Sequence, residues 1–365
     1  MRRADGESRT AMEHRRRVVK NSEMRFRLSV LDQSPISEGS GPADALRNTL
    51  NLAQSADELG YHRYWLAEHH GTPALACNSP EALIGPVAAA TSRIRVGSGG
   101  VMLPHYSPLK VAETFSMLSN LFPGRIDLGI GRAAGTSSTV AFALQRDRRQ
   151  PAPDDFREQL SELLSYFGAD SETAGPFPQL KIPLVRGERP EISLLGSSPQ
   201  SAIWAAELGL PYVFADFINP EGAAIARHYR HVFRPSERLR TPRMAVAVWA
   251  LCAATDEEAR KLSASLRMMM TMLFRGRPIP VPTVERAQRF IREEGVPLEM
   301  LPAGRRVLTG SPASIRTALE GVAVEYGAEE VLIVNITHDH AARLRSYELI
   351  AEEFDLGAEL LGMAI

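Results

Sequence analysis

Three consecutive residues, Glu68, His69 and His70, could handle protons, and they stand directly after the apolar run Tyr64-Trp65-Leu66-Ala67. A carboxylate beside imidazoles can take up and return a proton near neutrality, because an unperturbed imidazole titrates at about pH 6.5. A strand buried on both faces tolerates such residues only where it emerges, and chemistry in α/β proteins sits at the carboxyl ends of strands. Neighbours on an extended segment face opposite ways, so one imidazole faces any site and the other packs as a structural neighbour. A purely structural Glu–His pair at a loop mouth is the alternative reading.

Residues of similar promise recur after other apolar runs. Asp32 and Gln33 follow one, and Ser98, Gly99 and Gly100 close another. Gly129-Ile130-Gly131-Arg132 joins glycines, which let a phosphate approach the backbone, to a guanidinium that can grip it bidentately. Gly196-Ser197-Ser198-Pro199 offers two hydroxyls and free N–H groups at a helix start, as an anion site or as an ordinary serine cap. With Ala133 and Ala134 the Arg132 segment loosely fits a dinucleotide pattern, but it lies on a fourth strand and lacks the later acidic residue. Asn335, Thr337 and His338 end the last apolar run. His338-Asp339-His340 reads as helix entry and His69 and His70 diverge, so no metal centre is expected. No Gly-x-Ser-x-Gly elbow is present to present a serine nucleophile.

These residues need elements to place them. Residues 25–31, 62–67, 94–100, 125–130, 191–195, 212–215, 244–251 and 330–335 read as short apolar strands. Helical stripes lie at 42–59, closed by Gly60, from Pro80 to about residue 92, and at 108–121, 137–147, 154–167, 199–208, from Thr255 onward and 340–354. Repeated β/α units predict a (β/α)8 TIM barrel, which brings every strand end to one face. One domain over 25–355 is expected. An insertion at 267–310, between strands seven and eight, opens on Met268, Met269 and Met270 and serves as a lid, a substrate wall or an oligomer contact. The Pro- and Gly-rich stretch 171–190 predicts a loop or small hairpin.

The 365 residues carry 42 basic and 43 acidic side chains, a balance that points away from nucleic acid and membrane surfaces and toward a small-molecule partner. Cys77 and Cys252 form no disulfide framework or thiolate zinc pattern, and no apolar run approaches the roughly 20 residues of a membrane span, so a cytoplasmic protein is expected. Residues 1–24, Arg-rich around Arg15-Arg16-Arg17, predict a disordered extension, and 356–365 a C-terminal tail.

Taken in order, Trp65-Leu66-Ala67-Glu68-His69-His70, the segment Val96 to Pro104, Gly124 to Arg132, and Trp204 to Pro211 make residues 25–355 resemble the bacterial luciferase-like flavin-dependent monooxygenases. The resemblance implies a barrel that binds reduced FMN at its strand ends, a homodimer, and oxygenation of a small organic substrate by O2 through a flavin C4a-hydroperoxide. It implies His69 as the catalytic imidazole, with Glu68 orienting an imidazole or closing an ion pair. Gly99-Gly100 would carry a non-proline cis peptide under the flavin ring, and Arg132, Ser197 and Ser198 would hold its phosphate. Asp32 and Gln33, on the same face, complete the expected cofactor contacts. Gly131 stands where luciferase has a reactive cysteine and Asp216 where it has a tryptophan, so aldehyde-driven light emission is not expected. No nicotinamide fingerprint appears, so NAD(P)H would act through a separate flavin reductase. Two alternatives stay open: the same barrel with the deazaflavin F420, and a non-catalytic flavin-binding protein.

Overall fold

Parallel strands follow one another around a closed sheet: β1 (Arg27–Asp32), β2 (Arg63–Leu66), β3 (Arg95–Met102), β4 (Ile126–Gly131), β5 (Glu191–Gly196), β6 (Tyr212–Ala215) and β7 (Met244–Cys252). A short β8 (Leu308–Gly310) pairs with the end of β7, and β9 (Glu330–Val334) closes the ring by pairing with both β7 and β1. Around it run α1 (Pro42–Leu59), α2 (Pro80–Ala90), α3 (Pro108–Leu121), α4 (Ser138–Leu144), α5 (Phe156–Tyr166), α6 (Pro199–Glu207), α7 (Ala223–Val232), α8 (Asp256–Phe274), α9 (Val284–Glu294), α10 (Pro312–Tyr326) and α11 (His340–Phe354). This is the expected (β/α)8 barrel. The computed structural model describes residues 26–132, 138–145, 147–151, 153–168, 177, 187–295 and 304–357. The extension at 1–24, Ala133 and Ala134, most of the 171–190 stretch and the end of the tail lie outside the described residues.

Helix ends follow local chemistry. Pro80, Pro108, Pro199 and Pro312 occupy first turns, where a missing N–H costs nothing. Gly60 closes α1 at φ 88°, and a Cβ there would lie 2.7 Å from the Leu356 carbonyl oxygen. Alternation along the strands sorts the core. Val30, Tyr64, Val96, Leu128, Phe214 and Ile333 pack under the helices, while Leu31, Trp65, Val213, Ala247, Trp249 and Leu332 fill the barrel.

Several elements depart from the sequence reading. Helices α7, α9 and α10 and strand β8 were not anticipated, although Ser311-Pro312 and Gly327 mark both ends of α10. Met268, Met269 and Met270 do not open a loop; they lie inside α8. Met268 packs with Ala287 and Ile291 of α9, and Met269 and Met270 cover the barrel interior beside Trp249 and Ile336.

The amino ends of the strands hold charge inside the barrel. Arg63, 3% exposed, donates to Asp127 at 2.8 Å and to Glu330 and Glu191 at 3.1 Å, and Trp65 Nε1 donates to Asp127 at 2.9 Å. Each buried carboxylate meets donors, which offsets its desolvation. A cavity of about 1030 Å³ opens beneath this layer, at the end opposite the strand exits. Its Arg95 and Arg243 are engaged by Asp127 and Glu191, so we place no chemistry there.

Candidate active site

Chain alternation separates Glu68 from His69 where β2 gives out. The Glu68 side chain is fully buried; it accepts from the Met102 backbone N–H at 2.9 Å and faces His70 Nε2 at 2.7 Å. The carboxylate therefore ties the exits of β2 and β3 together and orients His70, not His69. The backbone of His69 is pinned separately, donating to the Cys77 carbonyl at 3.0 Å and accepting from Asn78 Nδ2 at 2.6 Å. Its half-buried ring has one buried atom, Nδ1, without a hydrogen-bond partner among the described residues. Burial, against a smaller opposing effect of the Ala67 backbone, pushes the His69 pKa down to about 4. The expectation of an ordinary imidazole poised near neutrality is thus corrected. His69 is neutral at pH 7, and its Nδ1 can donate or accept one hydrogen bond according to the tautomer.

On the next strand the Gly99–Gly100 peptide is cis, as the family resemblance implied. Side chains would not fit here: a Cβ on Gly99 would strike Leu31, and one on Gly100 would lie 2.7 Å from the Gly129 carbonyl oxygen. Ser98 Oγ donates to that same oxygen at 2.8 Å, which locks β3 to β4 beneath the mouth.

Arg132 follows the end of β4, and Ser197 and Ser198 follow the end of the neighbouring β5. The Arg132 guanidinium lies 5.3 Å over the Trp204 ring of α6 and donates to Asp154 at 2.7 Å. Asp154 is 80% exposed in its side chain, so this pair is worth little and a phosphate can displace it. Ser198 caps α6, its Oγ accepting from Ser201 N at 3.3 Å, and the Ser197 carbonyl accepts from Asn219 Nδ2 at 3.0 Å. A guanidinium, two hydroxyls and the start of a helix form a donor set that fits a phosphate monoester.

Asp32 does not join this site. Its carboxylate is fully buried and takes hydrogen bonds from Ser34 N, Thr49 Oγ1, Tyr64 Oη and Arg343 Nη2 at 2.6 to 2.8 Å. Burial alone would raise its pKa, but the Arg343 charge and these hydrogen bonds hold it below the usual range. The cofactor contact expected of Asp32 is corrected to an anchor of the β1 exit. Gln33 is buried beside it and makes no side-chain hydrogen bond among the described residues.

Other candidates are structural. Asn335 donates to Ser346 Oγ at 2.8 Å, His338 Nε2 meets the Glu38 carbonyl at 3.0 Å, and His340 Nε2 meets Asn51 at 2.9 Å. Among the described residues no group of three or more His, Cys, Asp or Glu could hold a metal ion. Asp216 takes two N–H groups of Arg306, at 2.7 and 3.1 Å, and the Tyr326 hydroxyl at 2.7 Å. Sequence reasoning passed over Glu81, His105 and Tyr106, which fold up beside Glu68 and His70. The available signal was a pair of titratable residues directly after Leu103-Pro104, at a strand exit.

With this geometry in hand, known proteins offer close parallels. The family described as luciferase-like monooxygenase matches residues 24–330. Two relatives from Bacillus subtilis (strain 168), the uncharacterized protein YwcH and an N-acetyl-S-alkylcysteine monooxygenase, are 44% and 38% identical. Each aligns over 329 residues, 90% of this chain and 98% of its own length. The crystal structure of apo-MsnO8 superposes with a TM-score of 0.81 at 42% identity, covering 91% of this chain and 99% of that one.

Proposed function

Because this chain belongs to the luciferase-like monooxygenase family of oxidoreductases, we propose that it uses reduced FMN and O2 to oxygenate a small organic thioether whose amine is acylated. The observation that carries this reading is the pairing of a neutral His69, its Nδ1 unpartnered at the β2 exit, with a phosphate-type donor set at the β4 and β5 exits. Bound reduced FMN would supply two electrons and the activation of O2, one oxygen atom entering the substrate and the other leaving as water. Arg132, Ser197 and Ser198 hold the phosphate, and the side-chain-free Gly99-Gly100 segment receives the ring. Neutral His69 offers its Nδ1 for one hydrogen bond, and Glu68 acts as a positioning residue through His70 and Met102. Met269, Met270 and Trp249 give a dry apolar wall that keeps water from the reacting centre. The substrate class is supported by the N-acetyl-S-alkylcysteine monooxygenase relative. A separate flavin reductase supplies the reduced FMN. A homodimer belongs to the same reading, supported by an outward face on α2 and α3 where Ala82, Pro86, Ala89, Met117 and Leu121 are exposed.

Anaerobic titration with reduced FMN and with reduced F420, followed by admission of oxygen, tests the proposal. We expect FMN to bind and O2 uptake to rise when N-acetyl-S-methylcysteine is added. Substrate turnover with F420 and no oxygen, or FMN binding without turnover, would replace this reading by one of the two alternatives. His69→Ala is expected to lose about 100-fold or more in kcat while FMN affinity stays within a few-fold.

A further inference from the structure

We propose that Glu81 and His105 form a substrate subsite on the rim of this site, one that binds a neutral secondary amide, its N–H on Glu81 Oε2 and its carbonyl oxygen on His105 Nε2. The assignment of the subsite to a substrate rests on the monooxygenase reading above; the binding chemistry does not.

Glu81 lies in the first turn of α2, and His105 and Tyr106 follow β3 through a single 3-10 turn. They converge on Glu68 and His70 from the neighbouring strand. The His105 and His70 rings meet edge to face with centroids 6.5 Å apart, and the Tyr106 hydroxyl leans on Glu81 Oε1 at 3.5 Å. Two atoms of this group, Glu81 Oε2 and His105 Nε2, are buried without a hydrogen-bond partner among the described residues. Buried polar atoms are paired in roughly nine cases of ten, and each one left unpaired costs about 1–3 kcal/mol. Two together, next to His70, point to a ligand.

The surroundings restrict what that ligand is. Glu68 and Glu81 both lie beside these atoms, and burial and the nearby Glu68 charge raise the Glu81 carboxyl pKa. Burial lowers the His105 pKa, so its imidazole is neutral and in one tautomer offers an N–H at Nε2. Glu68 is already engaged by His70 and Met102, which leaves too few ligands for a metal ion. A group that donates at one point and accepts at another satisfies both orphan atoms, and a secondary amide does so without charge. An ammonium group would serve Glu81 and leave the imidazole N–H unanswered.

Three thioethers separate these possibilities by calorimetry, with and without anaerobic reduced FMN: N-acetyl-S-methylcysteine, 3-(methylthio)propanoate, which lacks the acetamido group, and S-methylcysteine, which carries a free amine. We expect the acetylated compound to bind about tenfold tighter than 3-(methylthio)propanoate. That ratio should fall to about one in Glu81→Met and His105→Phe and persist in Glu81→Gln and His105→Gln, which keep an acceptor and a donor. A ratio unchanged in the first two variants, tighter binding of S-methylcysteine, or no binding of either compound by the parent overturns the subsite. The ratio is read without turnover, so it stands or falls apart from the oxygenation reaction. Circular dichroism of all four variants confirms that a lost ratio reflects the site and not the fold.

Discussion

His69 shows how far burial moves a residue from its intrinsic chemistry. Its pKa is lowered to about 4, and that of His62, which faces Arg27 at the opposite end of the barrel, to about 3 through burial and the charges of Arg63, Arg27 and Arg95. Both folded imidazoles refuse a proton that the unfolded chain accepts at about pH 6.5. The fold therefore loses stability as pH falls below that value, and this loss ends near pH 4 for His69 and near pH 3 for His62. We expect the urea midpoint of the parent to drop more between pH 7 and pH 5 than that of His62→Gln; equal drops would show that His62 is not held neutral. For the same reason kcat/KM should show no His69 inflection between about pH 6 and 8. Sequence alone placed His69 and Glu68 together at a strand exit. It could not show that Glu68 serves His70, because that choice depends on Met102 arriving from the next strand.

At the level of elements, the site depends on how strand exits are fastened. Asp32 holds the β1 exit to α1 through Thr49, to β2 through Tyr64 and to α11 through Arg343. Arg343→Met leaves a buried carboxylate without its counter-charge and is expected to cost about 3–5 kcal/mol in urea unfolding. A loss under about 1 kcal/mol would mean that Asp32 is not the anchor described. The segments between β7 and β9 are fastened at two places. Val281 pairs with the chain after β1, where Arg286 also meets Glu38, and Arg306 is clamped by Asp216 at the end of β6. Strand positions were readable because each apolar run is bounded by its own turn residues. Helix α9 was harder to read. It buries only Val284, Ala287 and Ile291 against a single neighbouring helix, and it stands among prolines that signal a loop.

The whole molecule gathers these exits on one face and leaves a second surface with exposed apolar side chains on its flank. Met117 is 49% and Leu121 65% exposed on α3, and α2 beside it carries no charge beyond Glu81. If two copies join there, Leu121→Asp should shift the sedimenting species from dimer to monomer with an unchanged far-UV spectrum. A parent that sediments as a monomer would rule out this interface. The sequence by itself determined the eight strands of the ring, most of the helices between them, the barrel, and the set of strand exits at which chemistry could occur. Periodicity, proline starts and glycine ends act within a few residues and need no partner from afar. Only the tertiary structure decided which of those residues are free to act. Asp32 is consumed by an arginine 311 residues away, the charge of Arg63 is spent on Asp127, Glu191 and Glu330, and Glu81 and His105 acquire their orphan atoms only when α2 and β3 meet. Burial and pairing belong to the assembled neighbourhood, and they set both the charge state of a side chain and whether it has anything left to offer a ligand.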